Sequence, residues 1–513
     1  MALQIDREAV PGTEQLIDEE KVNHKLDNSD HVGQSDIVLI PHPTSCGSDP
    51  LTWSKRKKYY QLLLVALYAC AFSFGENTLG DTGVTLTNMN GGSALNYLLL
   101  GFVNIWWMPT ANILGRKLVF LATTCLCLAT GFWLAAIKGT VQWMLNMIVN
   151  GIGTSAYQAI IQLTLGSILG LISGGSMSDT VGWRWSQNIV GFIFAFVLIA
   201  FTFSFEETLF PRFLFSGWQS TPLPSQKDEE TAENSTGEKK LELRPVSSQA
   251  NGIVDDFPKR AYRQILKPWV RYPQNKTTFW QYFRRPFFLW SFPNVVIAAF
   301  IYAFGATAGI VSFNTISEIL TEPPYNFSTT NTGLVFFAAL VGDIIGWGIG
   351  VLSDQVVIAL ARRNGGVKEP EMRLYTLVPC FVFAAVGYML YGWGAQTEAH
   401  WITIAIGIGA MISHQVGACT IATAYAMDCF PGISGELVVV LAMCSSMVNF
   451  AISYSVQPFI EAAGYGWTMT CFGIMVLLSV LAAIFLVLFG KRWRIAKGPR
   501  YYKFLDEVGG YTD

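Results

Sequence analysis

Charge is scarce in this chain. Of its 513 residues 14% are Asp, Glu, Lys or Arg, against 51% hydrophobic, where soluble domains carry about 25% charged residues. Lipid is therefore the expected solvent, and a mean hydropathy of +0.37 agrees. The net charge is only −2, and no basic patch is interleaved with aromatics, so nucleic acid is set aside as a partner. Cysteine is thinly spread, nine residues in all. Cys70, Cys125, Cys127, Cys380, Cys444 and Cys471 fall inside apolar runs, without disulfide or metal-ligand spacing, and read as small buried residues. No Ser/His/Asp set, metal-ligand cluster or phosphate loop is found, so no enzyme activity, metal or cofactor is expected. Gly151-Ile-Gly153 lies in an apolar run rather than after a strand, which removes it as a nucleotide fingerprint. Residues 1–54 lack a short apolar core behind a basic start. They read as a disordered tail and not as a signal peptide.

What the chain does have is long apolar runs. A helix of about 20 residues crosses the hydrocarbon of a bilayer. Candidate spans lie near 59–79, 93–111, 118–137, 186–205, 289–312, 332–352, 374–393, 401–425, 437–459 and 467–489. Basic residues cluster before the first of these (Lys55–Lys58), after the second (Arg116, Lys117), between 212 and 285, at Arg362, Arg363, Lys368 and Arg373, and after the last at Lys491–Lys497. The intervening loops hold mostly acids, Asp81, Glu318, Glu322, Glu398 and Glu461, with Lys138 the exception. Basic loops stay inside, so both termini and the long middle loop are expected in the cytoplasm. Gln226–Asn251, rich in Ser, Glu and Lys without apolar period, divides two membrane halves. The expected organisation is a tail over 1–54, a bundle over 55–212, a cytoplasmic linker over 213–285, a second bundle over 286–490 and a cytoplasmic tail over 491–513. Asn326, in an Asn-Phe-Ser sequon of an outer loop, is a glycosylation candidate.

Val141–Asp179 does not fit that count. Two spans need about 40 residues plus a turn, and this region holds barely that many. One long helix would invert everything after it and put the basic middle loop outside. Two short helices meeting near Gln162–Gly166 are favoured, with one long tilted helix as the alternative. The fold class is therefore all-α and polytopic, on a plan of twelve spans with spans four and five shortened, or of eleven.

Several loop motifs carry a family resemblance. They are Asn112-Ile-Leu-Gly115-Arg116-Lys117, Gly350-Val-Leu-Ser-Asp354 with Arg362-Arg363 and Pro370-Glu371-Met-Arg373, Gly166-Ser-Ile-Leu-Gly170-Leu171-Ile-Ser-Gly174, Gly182-Trp183-Arg184-Trp185, and Glu206-Glu207-Thr208. With them, residues 55–495 resemble a major facilitator superfamily transporter, of the fungal drug:proton antiporter-like branch that also includes organic-cation carriers. The chain departs from that pattern at Asn112, where the family has aspartate, at Leu171, where it has proline, and at Met147, where it has arginine. Measured against the family, about 20 residues around spans four and five are missing. The resemblance implies two pseudo-symmetric six-helix bundles that rock about a central site. It also implies that Arg116, Lys117, Asp354, Arg362 and Arg363 gate the inner mouth, where anchoring of cytoplasmic loops is the simpler role.

Asp343 stands inside an otherwise uncharged stretch, Asn331–Leu352. Ionisable groups at that depth are costly and commonly functional, and burial brings a carboxyl toward physiological titration. Asp343 is thus the expected proton-coupling residue, with a structural pairing as the plainer reading. His414, mid-span, is a second coupling candidate, or a structural donor. Polar residues that can face a substrate are Glu76, Asn77, Gln158, Gln162, Asn314, Gln415, Asn449, Tyr454 and Gln457, with Trp106, Trp107 and Phe313 supplying aromatic wall. Asn and Gln also act as interhelical glue. Gly166, Gly170 and Gly174 share a helix face and suit close packing.

Three functions follow as expectations. One is proton-coupled export of a small organic compound, a drug or secondary metabolite. A second is import of an organic cation or polyamine, suited by acids at the outer mouth (Glu76, Asp81, Glu318). A third is a transport-defective variant, given the shortened region. The expected partners are a small-molecule substrate, protons and the bilayer, for a monomer in the plasma membrane, with the vacuole as the other location.

Overall fold

In lipid only a helix or a closed barrel satisfies backbone N–H and C=O groups, and the apolar runs here become helices. The computed structural model describes residues 10–15, 53–77, 86–160, 177, 180, 182–207, 266–269 and 278–509. In chain order the helices are α1 (Lys55–Asn77), α2 (Leu86–Phe102), α3 (Asn104–Leu114), α4 (Arg116–Ala135), α5 (Thr140–Ile160), α6 (Trp183–Ser204), α7 (Phe279–Leu289), α8 (Pro293–Thr321), α9 (Thr329–Val335), α10 (Phe337–Arg363), α11 (Leu377–Gln396), α12 (Trp401–Cys429), α13 (Ser434–Leu481) and α14 (Ala483–Gly509). Beside them stands one two-residue antiparallel ladder, β1 (Glu14–Gln15) on β2 (Val367–Lys368). Among the described residues eight helical stretches are long and apolar enough to cross a membrane, the last of them Ser434–Leu505. That last stretch reverses at Gly464, where φ is +78 and the helical geometry fails. The expected break between spans near 459 and 467 is therefore a single-residue kink.

The helices turn apolar faces outward. On α6 the exposed side chains Phe192, Phe196, Ile199 and Phe203 recur at helical spacing, and α10 exposes Val341, Ile344, Trp347 and Val351. Contiguous apolar surface of this extent needs a cover, and for a polytopic protein the cover is lipid.

Side chains sort into two bundles. Leu64, Tyr68, Phe72, Phe120, Phe194 and Phe201 pack together from α1, α4 and α6. The larger cores draw on α8 and α10–α14. A smaller cluster bridges the two sets: Phe102, Ile105 and Met108 meet Val439, Met443 and Phe283. In the first bundle α5 and α6 both run antiparallel to α4. Asn146 and Asn150 meet Thr130, a Cβ on Gly153 would meet Cys127, and the C-terminal end of α6 meets the start of α4. So α5 and α6 are parallel, the direction that a hairpin reading of Val141–Asp179 requires. The rest of that region lies outside the described residues.

Three boundaries differ from the sequence expectation. Residues 10–15, placed in a disordered tail, are docked on the second bundle. The linker read as 213–285 already contains the start of α7, an amphipathic helix opened by a Thr278/Gln281 capping box, the reciprocal side-chain device that satisfies orphan N–H groups. Its aromatic side, Phe279, Trp280 and Phe283, packs on Trp106. The stretch read as a C-terminal tail continues α14 as a helix with Arg494, Tyr501 and Phe504 buried. Aromatic and long basic residues drive both docked segments, and neither has the unbroken apolar run that marks a span in the sequence.

Candidate functional site

Charges gather at the basic end of the second bundle. Arg373 leaves the 3-10 turn Pro370–Thr376, which rigid Pro370 opens, and reaches two acids. It bonds Asp354 at 2.6 Å and Asp428, the last acid of α12, at 3.1 Å. Lys368 joins Asp428 at 3.1 Å. Asp354 is 66% exposed but Arg373 and Asp428 are 12% and 19%, so the shielded half of this chain of pairs carries most of its worth. Next to it the fully buried Arg494 holds Glu371 in a two-pronged contact of 3.0 and 2.6 Å, the fork geometry that suits guanidinium. The expected gate residues Arg362 and Arg363 are not in this network. They are exposed in the last turn of α10, where cations suit the helix dipole.

The first bundle has a counterpart. Glu207, just past α6, accepts the backbone N–H groups of Arg116 and Lys117, each at 3.0 Å. A carboxylate thus caps the N-terminus of α4, where orphan N–H groups and the helix dipole favour it. Lys117 is buried and donates to the Thr202 carbonyl at 3.0 Å. Arg116 is exposed. Gly115 has φ +104, and a Cβ there would stand 2.3 Å from Glu207 Oε2, so glycine is required twice over. Lys57 pairs with Glu206 at 2.6 Å, which puts the starts of α1 and α4 and the end of α6 at one face.

Inside the span, Asp343 is half-buried, with carboxylate Oδ1 shielded from solvent. Gly342 and Gly346 beside it let α10 press on α12; a Cβ on Gly342 would stand 2.3 Å from the Gly409 carbonyl oxygen. His414 is fully buried, and its Nδ1 lies 3.0 Å from the Cys380 carbonyl of α11. A carbonyl only accepts, so Nδ1 carries the proton and Nε2 presents a lone pair. That places His414 as an interhelical donor from α12 to α11.

The polar candidates of the second bundle stitch α8 to its neighbours. Gln415 Oε1 accepts from the Gly309 N–H at 2.6 Å. Asn314 donates to Ser453 at 3.1 Å, and Gln457 donates to Glu318 at 3.3 Å. Thr307 and Thr315 bond the hydroxyls of Tyr388 and Tyr391. Asn449 donates to Ser445 one turn back, Tyr454 is 65% exposed, and Phe313 packs edge-on to Phe336. Trp106 lies against α7, while Trp107 Nε1 donates to the Ile152 carbonyl at 3.1 Å.

A cavity of about 50 Å³ with mixed walls sits in the first bundle, its polar side formed by Asn96, Thr130, Asn146, Asn150, Thr154 and Gln187 and its apolar side by residues such as Phe72, Leu134 and Phe194. It has room for a few waters and is far short of the roughly 300 Å³ at which ligand pockets begin. Asn146 donates its Nδ2 to the Thr130 carbonyl at 3.0 Å, which fixes its amide orientation and leaves Oδ1 buried without a partner. The hydroxyls of Thr130 and Thr154 each reach a backbone carbonyl of their own helix. The Asn146 Oδ1 is thus an acceptor on offer in the lining, beside the amide groups of Asn96, Asn150 and Gln187. Sequence reasoning missed this site. The signal was present as a four-residue repeat, Asn146, Asn150, Thr154, continued by Gln158 and Gln162. It also missed Asp428 and Arg494 as network members; each is a charge at the edge of an apolar helix, with a partner far off in sequence. The side chains of Glu76, Asn77 and Gln158, and all of Gln162, Gly166, Gly170 and Gly174, lie outside the described residues. Asn326 is exposed in the turn between α8 and α9, at φ +50, an asparagine-tolerant conformation.

Residues 160–437 match the sequence profile of the Major Facilitator Superfamily. The chain belongs to that superfamily and is a multi-pass membrane transporter by class. It is 25% identical to an uncharacterized MFS-type transporter of Schizosaccharomyces pombe, over 97% of this chain and 95% of that one. It is 24% identical to Protein HOL1 of Saccharomyces cerevisiae, over 90% and 91%. In fold it is similar to the proton:xylose symporter XylE bound to 6-bromo-6-deoxy-D-glucose, with a TM-score of 0.52 at 13% identity, covering 85% of this chain and 97% of that one.

Proposed function

We propose that the chain exports a small organic compound in exchange for protons, as a member of the drug:proton antiporter-like branch, with Asp343 as the proton-carrying residue. The observation that carries this reading is a carboxyl half-buried within α10, at a glycine-lined contact with α12. Protonating it removes a charge from a low-dielectric site, so its state biases how α10 sits on α12. His414 then positions α11 against α12. The polar stripe on α5 supplies contacts to the substrate from the first bundle, and Gln415, Asn314 and Gln457 those from the second once their interhelical bonds open. The basic face is the cytoplasmic one, with two bundles over 55–212 and 286–490, in the plasma membrane. Purified protein in sealed vesicles with an imposed pH gradient tests this. Fluorescent cationic dyes and neutral drug-like probes should move only when the gradient is present, and Asp343→Asn should abolish the gradient dependence. Flux indifferent to both removes the coupling.

Import of an organic cation is the second reading, favoured by Glu318 facing Gln457 near the end of α8 that is remote from the basic face. Uptake exceeding efflux for a polyamine probe decides for it.

A further inference from the structure

The segment Val10-Pro11-Gly12-Thr13 is a turn that its sequence dictates. Thr13 N–H donates to the Val10 carbonyl at 3.1 Å, Pro11 fixes the first central position, and Gly12 takes φ +77 at the second, the pattern that Pro-Gly suits. Pro11 and Gly12 are buried, and their partners among the described residues, Asp428, Cys429, Arg494 and Gly498, are all more than 350 residues away in sequence.

Three elements at the basic end grip this turn. From α14, Arg494 Nη1 donates to the Pro11 carbonyl and to Thr13 Oγ1, the latter at 3.3 Å, while its other nitrogens hold Glu371. From α12, the Asp428 carbonyl and Cys429 close on Gly12 so tightly that a Cβ would stand 2.3 Å from the carbonyl oxygen and 2.9 Å from Cys429 Cα. From the loop after α10, β2 pairs with β1, Gln15 opposite Val367 and Glu14 opposite Lys368. Asp428 and Lys368 are themselves members of the ionic network with Arg373 and Asp354.

We propose that residues 10–15 are a docked strap that holds the basic end of the second bundle in one arrangement, by fastening α12, α14 and β2 to one another, and that its release loosens the Asp354–Arg373–Asp428–Lys368 network. The strap acts through these contacts and not by pulling on the first bundle. The 37 residues of 16–52 that lead on to α1 can span roughly 120 Å when extended, so docking sets no limit on where α1 lies. A strap of this kind is a natural target for control, since it is an added strand held by main-chain pairing and one backbone turn, with no apolar core of its own.

The test uses the full chain in detergent micelles, read by amide hydrogen exchange, so it needs no substrate and stands or falls separately from the proton-coupling assignment. Gly12→Val puts a branched side chain where no Cβ fits. It should speed exchange in peptides covering 367–376 and 425–433 by about tenfold or more, and leave α2, α4 and α6 unchanged. A chain lacking residues 1–15 should show the same pattern. Tying the strap down with Gln15→Cys and Val367→Cys should restore slow exchange in the Gly12→Val background and lose it again on reduction. Unchanged protection at 367–376 after either lesion would overturn the strap, as would faster exchange spread evenly over both bundles, or failure of the disulfide to restore protection.

Discussion

Glu207 shows what one carboxylate does at a helix end. It closes two N–H groups of α4 at 3.0 Å each, and the glycine before them leaves it room. Replacing it with Ala removes the cap and should cost about 1–2 kcal/mol, seen as a lower midpoint in thermal unfolding of the detergent-solubilised protein. Glu207→Gln retains an acceptor and should lose less. Gly115→Ala should match or exceed the Ala loss, since it both strains φ +104 and drives a Cβ into the carboxylate. If all three variants melt with the parent chain, the cap contributes nothing. Arg494 is the costlier residue. Arg494→Met leaves Glu371 in a buried position without its cation, and breaking such a pair costs about 3–5 kcal/mol. The double variant Arg494→Met/Glu371→Met should recover much of that loss, and a double variant no better than the single would argue against the pair. Residues of this sort are hard to read from sequence. Asp343 and Asp354 were legible because each is an acid out of place in an apolar run or a recognisable loop. Glu207 and Arg494 each sit among other charges, and only the fold says which one turns inward.

At the scale of elements, glycine decides how closely α10, α11 and α12 approach. Gly342 and Gly346 of α10 face Gly409, Ser413 and Val416 of α12, and Gly387 of α11 faces Gly407 and Met411. Gly348, on the same helix as Gly342, has open space around it. The two sites therefore predict opposite outcomes. Gly342→Ala forces backbone apart and should destabilise by about 1–3 kcal/mol, whereas Gly348→Ala should be neutral or gain up to about 1 kcal/mol of helix propensity. Unfolding midpoints of the two variants, measured side by side, check this; equal shifts would mean that the close contact is not formed. Helices themselves were legible, because about 20 apolar residues allow little else in lipid, and each span named in the sequence has a helix on it. The faces were not. The sequence signal for close packing pointed to Gly166, Gly170 and Gly174, which lie outside the described residues, while Gly342, Gly346 and Gly350 of α10 repeat that four-residue spacing against α12 and were not singled out for it. The ladder between β1 and β2 and the aromatic seat of α7 were illegible for a different reason: both are short segments whose order comes from a distant partner and not from any local period.

For the whole molecule, the consequential contact is the one between bundles. Helices α2 and α3 meet α13 through Ile105, Met108, Val439 and Met443, and a Cβ on Gly101 would stand 2.5 Å from Ser446 Cβ. Around this seam α7 adds a largely buried pair, Arg285 to Glu436 at 3.6 Å. If transport needs the bundles to rock, the end of the seam nearest the basic face has to open in each cycle, and a covalent bridge across it has to stop flux while leaving the fold intact. Met108→Cys with Gly435→Cys tests this. A Cβ on Gly435 would lie 2.1 Å from the Met108 methyl carbon, so two thiols there sit within reach of a short bifunctional linker. Linking them should cut flux of any transported probe by about tenfold or more, a loss that each single variant treated in the same way does not show, and a reductant-cleavable linker should return it. Full flux through the linked protein would mean that the seam is static, and the moving surface would then have to be sought between α10 and the first bundle.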